Sequence, residues 1–304
     1  MNLYFYILDF FVTLMVLPLS TINIILYPFN FNICLMYAIM PRVIYYYQTF
    51  AGLDKLLSHL HDIDVIILAS IHFGLTNKIP YIHLNDHSPD DSQFDMVWEQ
   101  ADQLSLAGID IILLIGGAGG AFINLFENYN AYYKLLKQLI DTKKCIKGVE
   151  LDVEEVVNLE DIKMLIRDLI NDFGENFIIT MAPIANAMTD DKPGLGCFIY
   201  KDLYNSDEGK HISWFNVQCY GQFDVETYDN IIQNGYPPQK IGMGMISSDF
   251  NKDTFQKAIE TVKMVSIKYP DMAGIDNWEY FDSPPEKNDP SEWAKEMKQI
   301  FTKI

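Results

Sequence analysis

From Arg42 onward the chain alternates short apolar runs with longer stretches whose apolar residues recur at helical spacing. The runs are Arg42–Gln48, Asp64–Ser70, Ile109–Gly116, Lys147–Asp152, Phe177–Met181, Ser213–Cys219, Lys240–Met245 and Ala273–Trp278. They have strand length and are rich in Ile, Val and Tyr, as buried parallel strands are. Between them, Ala121–Lys144 carries Phe122, Leu125, Phe126, Tyr129, Tyr133, Leu136 and Leu139–Ile140 on a helical period. Leu159–Phe173 repeats the pattern with Ile162, Leu165, Ile166, Leu169 and Ile170, and Gly174 follows as a C-cap. Asp253–Tyr269 and Pro290–Phe301 predict two more helices, and Asp282–Pro290 reads as the loop before the last one. Alternating β/α units over about 260 residues predict an α/β fold, a single-domain (β/α)8 barrel. The alternative is a doubly wound open sheet. It has no positive support, because no G-x-G-x-x-G follows the first strand.

The N-terminal stretch has another texture. Residues 1–41 contain one charged side chain, Asp9. A signal peptide or membrane anchor, a part of the fold, and translated upstream sequence with the true start at Met36 or Met40 are the three readings. Pro18 and Pro28 and the lack of a basic n-region argue against a simple signal. The expected organisation is an apolar segment over 1–39 and a barrel over 40–304. Membrane contact, and a secreted or anchored location, follow only if that segment is real; otherwise a soluble intracellular protein is expected.

Composition narrows the function. The 304 residues hold 22 Lys+Arg against 41 Asp+Glu, a net charge of −19, which argues against a nucleic-acid groove or docking on anionic lipid. The four cysteines form no C-x-x-C pair, so no metal site is expected from them. His72, His83 and His87 lie around Tyr81–Asp86, expected to be a long loop that shapes a cleft rim without holding a metal; His59 and His61 look structural.

In this barrel type the chemistry sits at the C-terminal ends of the strands. The fourth run reads Gly148-Val149-Glu150-Leu151-Asp152-Val153-Glu154-Glu155. By strand alternation Glu150, Asp152 and Glu154 share the inward face, and Val149, Leu151 and Val153 face the helices. Three carboxylates inside a barrel are costly unless used, and crowding raises at least one pKa, as a general acid requires. Glu155 and Glu160 are expected to be solvated residues near a helix N-terminus.

At these residues the chain resembles glycoside hydrolase family 18, the chitinases and related endo-β-N-acetylglucosaminidases. The family's fourth strand carries D-G-x-D-x-D-x-E, which ends in the proton donor. Here Glu154 matches the donor and Asp152 its neighbour, while Lys147 and Glu150 stand for the two earlier aspartates. The third strand's S-x-G-G appears as Leu114-Ile115-Gly116-Gly117. Gln218-Cys219-Tyr220 resembles the Q-x-Y of plant-type chitinases, and Asn277-Trp278-Glu279-Tyr280 falls where the family places a Trp under the sugar.

The resemblance implies substrate-assisted, retaining hydrolysis of β-1,4-linked N-acetylglucosamine, without a cofactor or metal. Glu154 would be the acid/base, Asp152 the stabiliser of the acetamide and Tyr220 its aiming group. Trp278, Gln218, Tyr45, Glu150 and Gly117 would line or support the sugar site, with Gly116 beside Gly117; Phe73, by its place after the second strand, is expected either to line the cleft or to pack. Tyr45 is taken as the first-strand tyrosine of the family, and Tyr46 as packing. Chitin or chitooligosaccharide is the first expected substrate. The chitobiose core of N-glycans is the second, and a non-catalytic sugar-binding lectin is the alternative of another class. Leu114 in place of Ser is expected to cost Glu150 a hydrogen-bond partner.

Overall fold

The structure, a computed structural model, describes residues 40–303. The expectations for residues 1–39, and Cys34 within them, lie outside the described residues. Among the described residues nine strands form one sheet: β1 (Arg42–Tyr47), β2 (Val65–Thr76), β3 (Ile79–Leu84), β4 (Asp110–Gly116), β5 (Ile146–Asp152), β6 (Ile178–Met181), β7 (Trp214–Gln218), β8 (Ile241–Ile246) and β9 (Gly274–Trp278). Every neighbour pair except β2–β3 is parallel. The sheet closes because β1 pairs with both β9 and β2. The result is an eight-stranded parallel barrel that carries one extra antiparallel strand, β3.

That extra strand corrects the reading of Tyr81–Asp86 as a loop. β2 runs on to Thr76, turns at Asn77–Lys78, and returns as β3, so that His72 pairs with His83. The hairpin stands above the barrel mouth. It was hard to see in the sequence because its residues are half exposed and mixed in polarity, as free hairpins are.

Helices surround the barrel: α1 (Asp95–Leu106), α2 (Ala121–Glu127), α3 (Tyr129–Thr142), α4 (Leu159–Phe173), α5 (Val225–Gln233), α6 (Phe255–Lys268) and α7 (Ser291–Thr302), with one-turn helices at Asp54–Leu57, Asn186–Thr189 and Tyr200–Tyr204. The single helix expected over Ala121–Lys144 is broken at Asn128, whose φ of −142° is extended. The apolar period survives the break, as Phe126 and Tyr129 stack across it at 5.9 Å. A continuous stripe therefore concealed the break. Among the described residues no helix is long and apolar enough to cross a membrane.

Two apolar layers follow from strand alternation. Val43, Ile66, Leu113, Val149, Leu151, Ile179, Phe215, Met243 and Ile275 face the helices. A smaller cluster of Ile44, Tyr46, Val65, Ile67, Ile112, Leu114 and Trp214 fills the barrel itself. Arg42 closes the floor with its guanidinium 4.3 Å from the Trp214 ring centre. The interior is tight at Gly148, which pairs with Ile178. A Cβ there would lie 2.2 Å from the Ile178 carbonyl oxygen, and backbone cannot step aside. Gly148→Ala is expected to cost about 2–3 kcal/mol, read as a lowered urea midpoint with an unchanged slope.

Candidate active site

The C-terminal ends of the barrel strands open on a cleft lined by Gln48, Ser70, Gly117, Asp152, Glu154, Gln218, Tyr220 and Trp278. β5 delivers the carboxylates. Its alternation places Val149, Leu151 and Val153 in the outer layer, so Glu150, Asp152 and Glu154 rise in one inward column. Glu150 is the lowest and fully buried; Asp152 is buried above it; Glu154, just past the strand, is partly open to the cleft.

Asp152 is held from two sides. Gln218 Nε2 donates to its Oδ1 at 3.2 Å and to the Ala182 carbonyl at 2.9 Å, which fixes the amide's orientation. The Gly117 N–H donates to the Asp152 carbonyl at 2.9 Å. Gly116, at φ 104°, makes this turn possible, since its missing Cβ would otherwise sit 2.2 Å from that carbonyl. Burial, then the charges of Glu154, Glu150 and Glu155, push the Asp152 carboxyl well above its ordinary range. A proton is therefore retained in the column at pH values where an isolated carboxyl has lost it.

Glu150 lies beneath the cleft and does not line it, which corrects its expected place against the sugar. Its Oε1 accepts from Thr180 Oγ1 at 3.1 Å and from Asn216 Nδ2 at 2.6 Å. Asn216 is itself oriented by Trp214 Nε1, which donates to its Oδ1 at 2.8 Å. Thr180 and Asn216 thus supply partners that the Leu114 substitution was expected to remove. Burial pushes the Glu150 carboxyl up to about 7, with the facing Tyr46 hydroxyl, Asn216 and Thr180 drawing it back.

Tyr220 stands past the end of β7 on the same face as Gln218, while Cys219 between them is buried outward. Burial and the charges of Asp276, Asp152 and Glu150 hold the Tyr220 hydroxyl well above its ordinary pKa, so it remains a hydrogen-bond donor. Trp278 closes the opposite side, with its ring centre 5.4 Å from that of Tyr46. Glu279 accepts from the backbone N–H of Gln48 at 2.8 Å and of Thr49 at 3.1 Å, tying the ends of β1 and β9 together beneath the rim.

Two expected cleft residues lie elsewhere. Tyr45 points out of the barrel, between the Tyr280 and Trp293 rings at 5.2 and 4.8 Å. Its hydroxyl donates to the Pro290 carbonyl and accepts from the Ala294 N–H, so it fastens α7. Tyr46 is the inward tyrosine, in the cluster that supports Trp278. Phe73 is buried beneath the hairpin against Tyr132, at 5.3 Å between ring centres. Glu155 is not a solvated residue of the following helix. It reaches back to accept from Phe122 N at 2.5 Å and Ile123 N at 3.4 Å, capping α2.

Other residues at the site carried no sequence motif. A register shift between Leu68 and Ile71 turns Ser70 into the cleft. Gln48 follows Tyr46 by strand alternation. The cleft then continues under the β2–β3 hairpin, where His72, His83, Asn85 and Asp86 line it. His72 Nε2 lies 3.1 Å from the Ala118 carbonyl, and its ring stacks on His83 with centres 5.6 Å apart.

No family model and no curated protein sequence matches the chain. Solved structures do match. A fungal endo-β-N-acetylglucosaminidase from glycosyl hydrolase family 18 is 29% identical, with a TM-score of 0.76 over 86% of this chain and 98% of that one. The chitinase ChiC from Aspergillus fumigatus is 29% identical, with a TM-score of 0.73 over 85% of this chain and 99% of that one. The chain is similar to solved glycoside hydrolases of family 18 and shares their barrel fold. A family 18 chitinase from Pseudoalteromonas aurantia, 19% identical with a TM-score of 0.65, shares the fold over 85% of this chain. The family 18 likeness spans the whole barrel, so it includes all the strands that build the cleft.

Proposed function

We propose that the protein is a retaining glycoside hydrolase that cleaves the β-1,4 bond next to an N-acetylglucosamine unit, with chitooligosaccharides as substrates. The observation that carries this reading is the column of Glu154 over Asp152 at the cleft mouth, faced by Tyr220 and Trp278. The likeness to family 18 structures supports a glycoside hydrolase acting on sugars of this class.

The reaction uses the substrate's own acetamide as nucleophile. Trp278 stacks under the sugar ring and presents its anomeric carbon to the column. Glu154 gives its proton to the glycosidic oxygen as that bond breaks. The acetamide carbonyl oxygen attacks the anomeric carbon, and positive charge spreads into the resulting oxazolinium ring. Asp152, itself buried, accepts the acetamide N–H and balances that charge. The Tyr220 hydroxyl donates to the acetamide oxygen and aims it. Glu154, now a carboxylate, takes a proton from the water that opens the ring and restores the β configuration.

A lectin role fits less well, because Glu154 occupies the position of the acid and is partly open to the cleft. Cleavage of the N-glycan core is the second reading. It is favoured by the polar lining of the cleft beyond Trp278, where Ser70, His72, Asn85 and Asp86 provide hydrogen-bonding groups rather than a row of stacking aromatics. Parallel assays on chitotetraose and on a high-mannose glycopeptide distinguish the two substrates. Turnover of neither by the folded protein would overturn the hydrolase reading. Trp278→Ala is expected to raise KM about tenfold through the lost stacking area, with a smaller effect on kcat.

A further inference from the structure

Asp276 is a carboxyl inside the barrel that the mechanism above does not use. It lies on the inward face of β9, two residues before Trp278, and is 1% exposed. The neighbouring strand β8, in which Gly244 pairs with Asp276, makes room for it with two glycines. A Cβ at Gly244 would lie 2.6 Å from Asp276 Oδ1, and one at Gly242 would lie 3.7 Å from Oδ2 and 3.0 Å from Asn216 Oδ1. Asp276 and Asn216 therefore border the same space beneath Gly242, and Asn216 Nδ2 donates to Glu150 Oε1 at 2.6 Å.

Among the described residues, Glu150 Oε2 and Asp276 Oδ2 are both buried without a hydrogen-bond partner. Two ionised carboxylates in this space would be prohibitive, and two orphaned oxygens are costly. One proton relieves both costs, since it removes a charge and creates a donor. Trp214 forces Asn216 to donate to Glu150 Oε1, so Oε2 is the atom left to carry or receive that proton.

We propose that Asp276 and Glu150 form one carboxyl pair that keeps a single proton between them in the working enzyme, and that Asp276 is a positioning residue. Through Glu150 it supports Asp152 from below and sets the pH at which the column takes its working charge. This role rests on the hydrolase reading; the pairing itself does not.

The groups facing Asp276 are few. β1 brings Tyr46, β5 brings Glu150, and the end of β7 brings Tyr220, with the Cys219 thiol turned to the outer layer but still within reach of the Asp276 charge. β8 brings only its glycines. Arg42 lies at the floor over Trp214, with Asp110 and Asp64 as its charge partners. Burial and then the Glu150 charge hold Asp276 well above the ordinary carboxyl range.

The folded pKa of the pair is raised, so the native state keeps a proton that the unfolded chain releases. The pair's contribution to stability is full below the ordinary carboxyl range and is lost as pH rises through the folded value. Asp276→Asn keeps the shape and removes the ionisation. The Tm of Asp276→Asn relative to wild type is expected to rise by about 3 °C or more between pH 5 and pH 8. The gain is also expected to be non-additive with that of Glu150→Gln. The acidic limb of kcat/KM on chitotetraose is expected to move down by about one pH unit, because Glu150 ionises earlier without its like-charged neighbour.

A Tm difference independent of pH, or additive gains, would overturn the pair whatever the activity. A widening Tm difference with no turnover of any N-acetylglucosamine substrate would keep the pair and remove the hydrolase reading. A widening Tm difference with an unmoved acidic limb would reject the positioning role. If Asp276→Asn does not fold, Asp276→Ser takes its place in the same series. Failure of both would contradict the proposal, since a neutral group of similar or smaller size should be accepted where a protonated carboxyl sits.

Discussion

Glu154→Gln is expected to lower kcat on chitooligosaccharides about 10³-fold, within the range that a positioned general acid supplies. The amide cannot give a proton to the leaving oxygen or take one from water, so both halves of the reaction suffer. It is otherwise isosteric, and Glu154 is partly exposed with its backbone just past β5. KM is therefore expected to change less than threefold or so, and Tm by no more than a degree or two. Steady-state kinetics beside thermal unfolding checks all three. A kcat loss below about tenfold would remove Glu154 from the role of acid. An equal loss of folding would make the result structural.

The second large effect is at Asp152. Asp152→Asn removes the charge that balances the oxazolinium ring while keeping an acceptor oxygen near the acetamide. A loss of about 10² in kcat is expected, the size seen when a preorganised electrostatic partner is removed. Stability should respond in the opposite sense. Burial and three neighbouring carboxylates raise the Asp152 pKa, so ionised Asp152 costs folding energy at neutral pH, and the neutral amide relieves it. A variant slower in kcat yet higher in Tm at pH 7 than wild type is the expected combination. Deacetylated chitooligosaccharides provide the matching substrate test, since without the acetamide the wild-type enzyme has no nucleophile. Their hydrolysis at rates near those of the acetylated oligomers would contradict the assistance.

How far the sequence disclosed this site depended on local contrast. On β5 the apolar residues Val149, Leu151 and Val153 alternate with carboxylates, so parity was visible and the column could be placed. On β1 it was not visible. Val43 to Tyr47 are all buried, because a parallel barrel strand has an apolar surface on both faces. Nothing in Tyr45-Tyr46-Tyr47 separates inside from outside, and a one-residue choice of parity exchanges the α7 anchor with the support of Trp278. Phe73 was misplaced for a related reason: the strand does not end at Ser70 but continues into the hairpin, which carries Phe73 away from the cleft.

Asp276 is legible in the sequence. A charged residue in the short run Gly274–Trp278, two positions from Trp278, must share that residue's inward face. The two inward glycines of β8 are the matching signal, since they leave the volume that Asp276 occupies. The partners of Glu150 were less accessible. Thr180 and Asn216 lie 30 and 66 residues away, and only barrel closure brings them together. Ser70 enters the cleft through a register shift that no residue pattern announces.

The most direct test of the account is the configuration of the first product. Proton NMR of chitotetraose during the opening minutes of hydrolysis resolves the new reducing end before it mutarotates. The expected result is the β anomer in excess, later decaying to equilibrium, because two inversions at the anomeric carbon restore its configuration. An initial excess of the α anomer would mean a single displacement by water, and would contradict the substrate-assisted role assigned to Asp152, Tyr220 and Glu154.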